Sequence, residues 1–261
     1  MKHLALIPAL SAIISFPALR AAEPEAGAVR SIVTAPAGLT DVGVLELELG
    51  GSQSYGKDHT REGGIAAQFN LGLSSWLDLR LGWTARAWNR DADGQGNDGV
   101  SDPYIGGQVL FAGQDKTGAD IGLAYSHLMP RASVSKGLSS GYHEDTLLFT
   151  ISRSMGRWAL DANAGVARTR VEDGSRKANQ KVGSVAITYA PAQGWNLTLD
   201  TYGVAKSDLG DRELGSILAA SCDINDKLTV DMSVERGWAD ASPRFAFNAG
   251  LIYRIGKLWG N

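Results

Sequence analysis

The chain has 261 residues, a formal net charge of −3 and a single cysteine, Cys222. The net acidic charge argues against nucleic acid as a partner, because binding along its phosphate backbone requires an excess of basic residues on one face. One cysteine cannot form an internal disulfide, so an exported chain of this size needs another source of stability.

The first 21 residues have the pattern of a secretory signal peptide. Lys2 precedes an apolar run from Leu4 to Leu19, and small residues follow at Ala21. The run contains two prolines and is shorter than the roughly 20 apolar residues of a membrane-spanning helix. We therefore predict a signal peptide over residues 1–21, with a retained anchor helix as the alternative. Its removal makes the formal net charge −5, because it takes away two cations.

The rest of the chain divides into a lead-in, a long alternating region and a tail. Residues 22–41 are rich in Ala, Pro and Gly, which predicts an extended periplasmic lead-in. From residue 42 to 256, apolar and polar residues alternate with the period of two that is typical of strands. Residues 257–261 form a C-terminal tail. The twelve alternating runs lie near residues 45–50, 65–73, 77–84, 104–111, 120–126, 147–152, 158–166, 184–189, 195–201, 212–222, 228–235 and 244–255.

Run length and loop pattern favour a membrane barrel over a soluble β-sandwich, which would show the same alternation. Many runs reach about ten residues, the length that a tilted strand needs to cross a bilayer. Tight turns alternate with longer loops, and Trp76, Trp158 and Trp195 each follow a tight turn, as in an aromatic girdle. We predict an all-β fold, an antiparallel up-and-down transmembrane β-barrel of about twelve strands. The longer, outer loops are expected near residues 52–63, 89–99, 130–141, 170–178, 206–211 and 236–243.

Several short motifs together resemble the MetA-pathway phenol-degradation family of outer-membrane proteins. They are Pro36–Gly38, Gly99–Gly106, Leu128–Pro130 and Ser154–Trp158. The resemblance covers most of the mature chain and implies a transporter-like barrel for aromatic or other hydrophobic compounds. It brings no catalytic motif. The chain departs from the usual aromatic end of such barrels, because a tail with Trp259 follows the last strand.

Residue parity within the strands predicts which charges face the lumen. The predicted acids are Glu46, Glu48, Asp78, Asp102, Asp120, Asp161, Asp200, Asp231 and Glu235, and the predicted cations are Arg80, Arg86, Arg157, Arg244 and Arg254. Charges inside a membrane barrel must pair or contact water. These side chains predict either a pore lining that sets selectivity or a salt-bridged plug. Glu46, Glu48, Arg80 and Arg254 are expected to cluster in the periplasmic half.

The acidic loop 89–99 is a weak candidate for calcium. Asp91, Asp93 and Asp102 partly match the spacing of a calcium-binding loop. The fifth position is Gln, the last ligand should be Glu, and the alternation predicts no flanking helices. The simpler interpretation is a flexible surface loop, and we predict no cofactor.

The histidines do not form a catalytic arrangement that the sequence can identify. Ser126 and His127 are adjacent, so on a strand their side chains point to opposite faces. We therefore predict that the protein is not an enzyme but an outer-membrane channel of a Gram-negative bacterium. It would allow passive passage of a small, aromatic or hydrophobic solute. The expected partners are this solute, outer-membrane lipid and the outer-membrane assembly machinery. The alternatives are a lipid-modifying enzyme and a plugged structural or surface barrel.

Overall fold

The computed structural model describes residues 31–171 and 174–260. The predicted signal peptide and the first part of the lead-in lie outside these residues. The strands are β1 (Val44–Tyr55), β2 (Arg61–Ser74), β3 (Leu77–Arg90), β4 (Gly96–Gly99), β5 (Tyr104–Ala112), β6 (Asp120–Leu128), β7 (Glu144–Met155), β8 (Trp158–Arg170), β9 (Lys177–Ala192), β10 (Trp195–Val204), β11 (Glu213–Asn225), β12 (Leu228–Gly237) and β13 (Phe245–Lys257). A short helix, α1 (Gln114–Thr117), lies between β5 and β6. Within the described ranges, no helix is long and apolar enough to cross a membrane.

The strands form one closed antiparallel sheet. Each strand of the wall pairs with its neighbour in the chain, and β1 pairs with β13 to close the barrel. Strand β4 pairs only with the end of β3 between Ala87 and Arg90, so it extends one hairpin and is not part of the wall. The prediction of a twelve-stranded antiparallel barrel is confirmed. It includes β11, whose run alternates least clearly in the sequence.

The two faces of the wall follow the period of two in the sequence. On β8, Leu160 is 41% exposed, whereas the adjacent Asp161 is 9% exposed. Trp76, Trp158 and Trp195 are each about half exposed at the end of the barrel that carries the tight turns. An apolar outside, a polar inside and an aromatic girdle define a membrane-spanning β-barrel.

The strands extend further into the outer loops than the sequence predicts. The outer loop predicted over 52–63 is only 56–60, because β1 continues to Tyr55 and β2 begins at Arg61. The predicted loop 89–99 contains β4. These hairpins therefore rise beyond the apolar band of the wall.

The end of the lead-in lies inside the barrel. The sequence predicts instead an extended segment in the periplasm. Thr34, Ala35 and Ala37 are completely buried. The chain joins β1 beside Gly72, where the Gly43 amide donates to the Gly72 carbonyl at 2.7 Å. A Cβ atom at Gly72 would lie 2.1 Å from the Asp41 carbonyl oxygen, so glycine is required there. We call residues 31–40 the inner segment.

Candidate functional site

The inner segment is hydrogen-bonded to the inward-facing side chains of the wall. Its partners, from the start of the segment to Gly38, are Ser233 on β12, Asp200 on β10, Asn163 on β8, Ser152 on β7 and Gln108 on β5, which donates to both Pro36 and Gly38. These strands follow one another around the barrel. Because a straight crossing would touch only opposite sides of the wall, this order shows that the segment runs along the wall as an inner arc.

Asp200 is the strongest anchor of the inner segment. Its carboxylate accepts the Val33 amide at 2.6 Å, the Thr34 amide at 3.0 Å and the Thr34 hydroxyl at 2.6 Å. The side chain is completely buried. Hydrogen bonds to an ionised acceptor are about twice as strong as neutral ones. The segment thereby stabilises a charge that the barrel interior would otherwise leave uncompensated.

Further along, the segment is held by neutral groups. The Ala35 amide donates to Asn163 at 2.6 Å, and the Asn163 side chain donates back to the Ala35 carbonyl at 2.8 Å. Ser152 accepts the Ala37 amide at 2.7 Å and donates to Asp161 at 2.5 Å. Backbone groups of the segment are therefore satisfied by the wall in the way that strand partners would satisfy them.

One part of the interior is apolar. Ile32 packs against Tyr202 on β10 and Ile217 on β11, together with two alanines of the neighbouring strands. Tyr202 also donates a hydrogen bond to Glu235. The inner arc thus borders both charged and apolar surfaces.

A second group of charges lies where β1, β13 and the lead-in meet. Arg254 contacts Asp41 at 3.0 Å and Glu46 at 3.5 Å, and Glu46 is 2% exposed. The pairing of Glu46 with Arg254 across the β1–β13 seam follows from the register of the two strands. This network connects the first and the last strand of the barrel, β1 and β13.

A third group lies on β1, β2, β3 and β5. Arg80 pairs with Asp78 at 2.8 Å and donates to Gln108 at 3.1 Å. Glu48 accepts from Asn70 at 2.5 Å. Of the four residues that were expected to form one cluster, Glu46 and Arg254 contact each other across the seam, whereas the described contacts of Arg80 are to Asp78 and Gln108.

Most of the predicted lumen-facing charges are buried on the inner face. The buried ones are Glu46, Glu48, Asp78, Arg80, Asp102, Asp161, Asp200, Asp231 and Glu235. Asp120 is partly buried and accepts the Gln114 amide at 2.6 Å, beside the connection between β5 and β6. The buried set contains one arginine, so acids dominate the described part of the inner wall.

Three arginines are not placed as the parity predicts. Arg86 is 66% exposed, because a register shift between Ile65 and Ala66 turns the end of β3 by one residue. Arg244 precedes β13, where strand parity does not apply, and it is exposed with its guanidinium 5.9 Å from the Phe245 ring centroid. Arg157 is exposed in the tight turn before β8.

The three calcium candidates do not converge. Asp91 accepts the amides of Asp93 and Gln95 within its own loop. Asp102 is buried and accepts the amides of Arg131 and Ala132 from the next outer loop. No group of three metal-ligating side chains occurs among the described residues.

Two histidines contact each other on the outside of the wall. His127 Nδ1 lies 2.8 Å from Asp145, and its Nε2 lies 3.1 Å from His143 Nδ1. Tyr125 donates to the same aspartate at 2.7 Å. Ser126 is buried on the opposite face. Ser126 therefore cannot act as a nucleophile for the pair of His127 and Asp145.

These features define a class: a membrane-spanning β-barrel with a polar, acid-rich interior and an inner segment bound to its wall. The family model described as "Putative MetA-pathway of phenol degradation" matches residues 41–255, and the chain belongs to this family. A search of curated protein sequences gave no match.

Solved structures share the fold. The COG4313 outer membrane channel from Pseudomonas putida F1 is 14% identical, with a TM-score of 0.64, over 83% of this chain and 97% of that one. The KdgM porin is 7% identical, with a TM-score of 0.56, over 81% and 99%. The β-domain of the Bordetella autotransporter BrkA is 16% identical, with a TM-score of 0.50, over 82% and 100%.

Proposed function

We propose that the protein is an outer-membrane channel of a Gram-negative bacterium for the passive passage of a small molecule. The observation that carries this proposal is the closed barrel whose interior is lined by hydrogen-bonded charges. Such a wall is compatible with water, and rings of charged side chains select among permeating solutes. The channel and the porin that share this fold support the proposal.

We propose an aromatic or hydrophobic compound that carries polar groups as the solute. The family description, which refers to phenol degradation, supports this class.

A sealed structural barrel is the second candidate, and the inner segment favours it. The segment is hydrogen-bonded to five strands of the wall. We propose no catalytic role, because the described partners of His127 are an aspartate and a second histidine, with no hydroxyl nucleophile.

Liposome swelling tests the channel against the sealed barrel. The full mature chain, refolded into liposomes, would be compared with empty liposomes for arabinose, benzoate and a non-aromatic acid of similar size. A channel of the proposed kind predicts swelling above the empty control, faster for benzoate than for the aliphatic acid. Equal rates for the two acids would reject the aromatic preference. An absence of swelling for every solute, also in Asp200→Ala, would establish the sealed barrel.

A further inference from the structure

The outer ends of β8 and β9 carry a group of cations on the outside of the wall. Arg168, Arg170, Lys177 and Lys181 are all exposed, whereas their chain neighbours Ala167, Ala178 and Gln180 are buried on the inner face. The four cations therefore face the membrane side and not the lumen. We call them the outward basic patch.

The strand register brings the four cations together. Arg170 lies opposite Lys177, and Arg168 lies opposite Asn179, between Lys177 and Lys181. Directly opposed residues have Cβ atoms about 5 Å apart, and diagonal neighbours about 7–8 Å. Like charges at this spacing repel one another, so the arrangement favours an anionic ligand that can contact several of them.

One nearby acid, Asp145, compensates the patch only in part. Asp145 lies opposite Arg168 on β7, but its carboxylate is bound by His127 and Tyr125. Within the described ranges, no carboxylate lies within 4.0 Å of Arg168, Lys177 or Lys181. The connecting loop contributes Glu172 and Asp173, which lie outside the described residues, against five cations between positions 168 and 181.

Three other outward cations near the same end of the barrel are already engaged. Arg236 lies 4.5 Å from the Phe245 ring centroid, and Arg61 lies 5.8 Å from the centroid of Tyr55. Arg86 lies 4.0 Å from Asp98. The outward basic patch is thus distinguished from these three positions by the number of its cations, of which Arg170 donates to the Gly174 carbonyl at 2.8 Å.

The height of the patch matches the edge of the bilayer. Below it, the outward residues of β8 from Trp158 to Val166 are apolar or aromatic. The ten residue steps from Trp158 to Arg168 span about 33 Å along the strand. At a strand tilt of about 40°, this is about 25 Å across the membrane, the height of the apolar band of such barrels. Arg168 therefore lies at the level of the lipid headgroups on the side of the longer loops.

We propose that the outward basic patch binds the phosphate groups of a phosphorylated glycolipid in the outer leaflet. Guanidinium groups bind phosphate oxygens in a bidentate manner, and the lysines add point charges on either side. The apolar surface of Val166 and Val185 below the patch faces the acyl chains. This inference rests on the membrane placement in the proposed function but not on an open pore.

Native mass spectrometry of the detergent-solubilised full mature chain tests the proposal. The probes are a bisphosphorylated glucosamine glycolipid, the same lipid without phosphates, and inorganic phosphate. The variant Arg168→Gln/Lys177→Gln/Lys181→Gln removes three cations of the patch. The matched control Arg131→Gln/Lys136→Gln/Lys206→Gln removes three exposed loop cations.

The wild type and the control should retain the bisphosphorylated lipid, and the patch variant should bind it at least about tenfold more weakly. Binding of the dephosphorylated lipid should be weak and equal in all three proteins. Equal binding of the phosphorylated lipid by all three would overturn the proposal, as would full competition by inorganic phosphate at equal concentration. If the protein does not cause liposome swelling but shows the expected lipid binding, the proposed channel function is rejected and lipid binding by the outward basic patch is retained.

Discussion

The carboxylate of Asp200 accepts two hydrogen bonds from Thr34, one from its amide at 3.0 Å and one from its hydroxyl at 2.6 Å. The two residues are 166 positions apart in the chain. This contact ties the inner segment to the middle of β10, inside a wall built by later strands. The width of the lumen therefore depends on a segment that precedes the barrel in the sequence.

Replacing Asp200 should loosen the inner segment. Asp200→Ala removes three hydrogen bonds to a charged acceptor, each with a net contribution of about 1.5–3 kcal/mol. We expect liposome swelling by small sugars to become severalfold faster than in the wild type. Asp200→Asn keeps one acceptor oxygen, so its swelling rate should lie between those of the wild type and Asp200→Ala. Thr201→Ala, on the outer face of the same strand, is the control and should swell at the wild-type rate. Equal swelling rates in all four proteins would show that the inner segment does not limit passage.

The two faces of β8 should respond differently to substitution. Leu160 is exposed on the lipid side between the girdle and the midplane, so Leu160→Arg should destabilise the barrel, by less than the about 2–4 kcal/mol of an arginine at the midplane. Asp161→Asn, one residue further and inside, should change stability less, because the amide can still contact Ser152. Refolding titrations in lipid vesicles measure both. A larger loss for Asp161→Asn would mean that the facing assignment is inverted.

The longer loops should lie outside the cell. A cysteine at Ser135, exposed in the loop between β6 and β7, should react with an impermeant maleimide on intact cells. A cysteine at Asp115, in α1 at the other end, should react only after lysis. Both variants carry Cys222→Ser, which removes the native thiol. The opposite labelling pattern would reverse the orientation.

The strand pattern and most inward charges could be predicted from the sequence, because a period of two assigns every residue of a strand to one face. Asp161 and Asp200 lie where this period places them. Arg86 does not, because a bulge is a property of the pairing of two strands and leaves no mark in the alternation.

The inner segment could not be placed in the same way. Residues 31–40 are rich in small residues and have no period, and their partners lie on β5 to β12. One signal was available: this stretch contains no charged residue, although a segment in the aqueous periplasm has no reason to avoid charge. The outward basic patch was also missed, because it arises from the register of β8 and β9.

Arg254 should tune ion selectivity. It pairs with Asp41 and Glu46, in an interior where buried acids outnumber buried arginines. Opposite charges interact more strongly in a partly dry lumen than on a surface. Arg254→Gln should therefore leave these acids uncompensated and shift the reversal potential in a salt gradient further toward cation selectivity. Lys257→Gln, an exposed cation of the same strand, should leave it unchanged. A shift toward anions would contradict the proposed acidic wall.

Single-channel recording of the wild-type mature chain in a planar bilayer tests the central claim most directly. The proposed channel predicts discrete current steps whose reversal potential in a salt gradient shows a mild preference for cations, since the described inner wall is acid-rich. An Asp200→Ala variant that conducts at least as well would support the same account. A wild type and a variant that both insert but carry no current would contradict it and identify a sealed barrel.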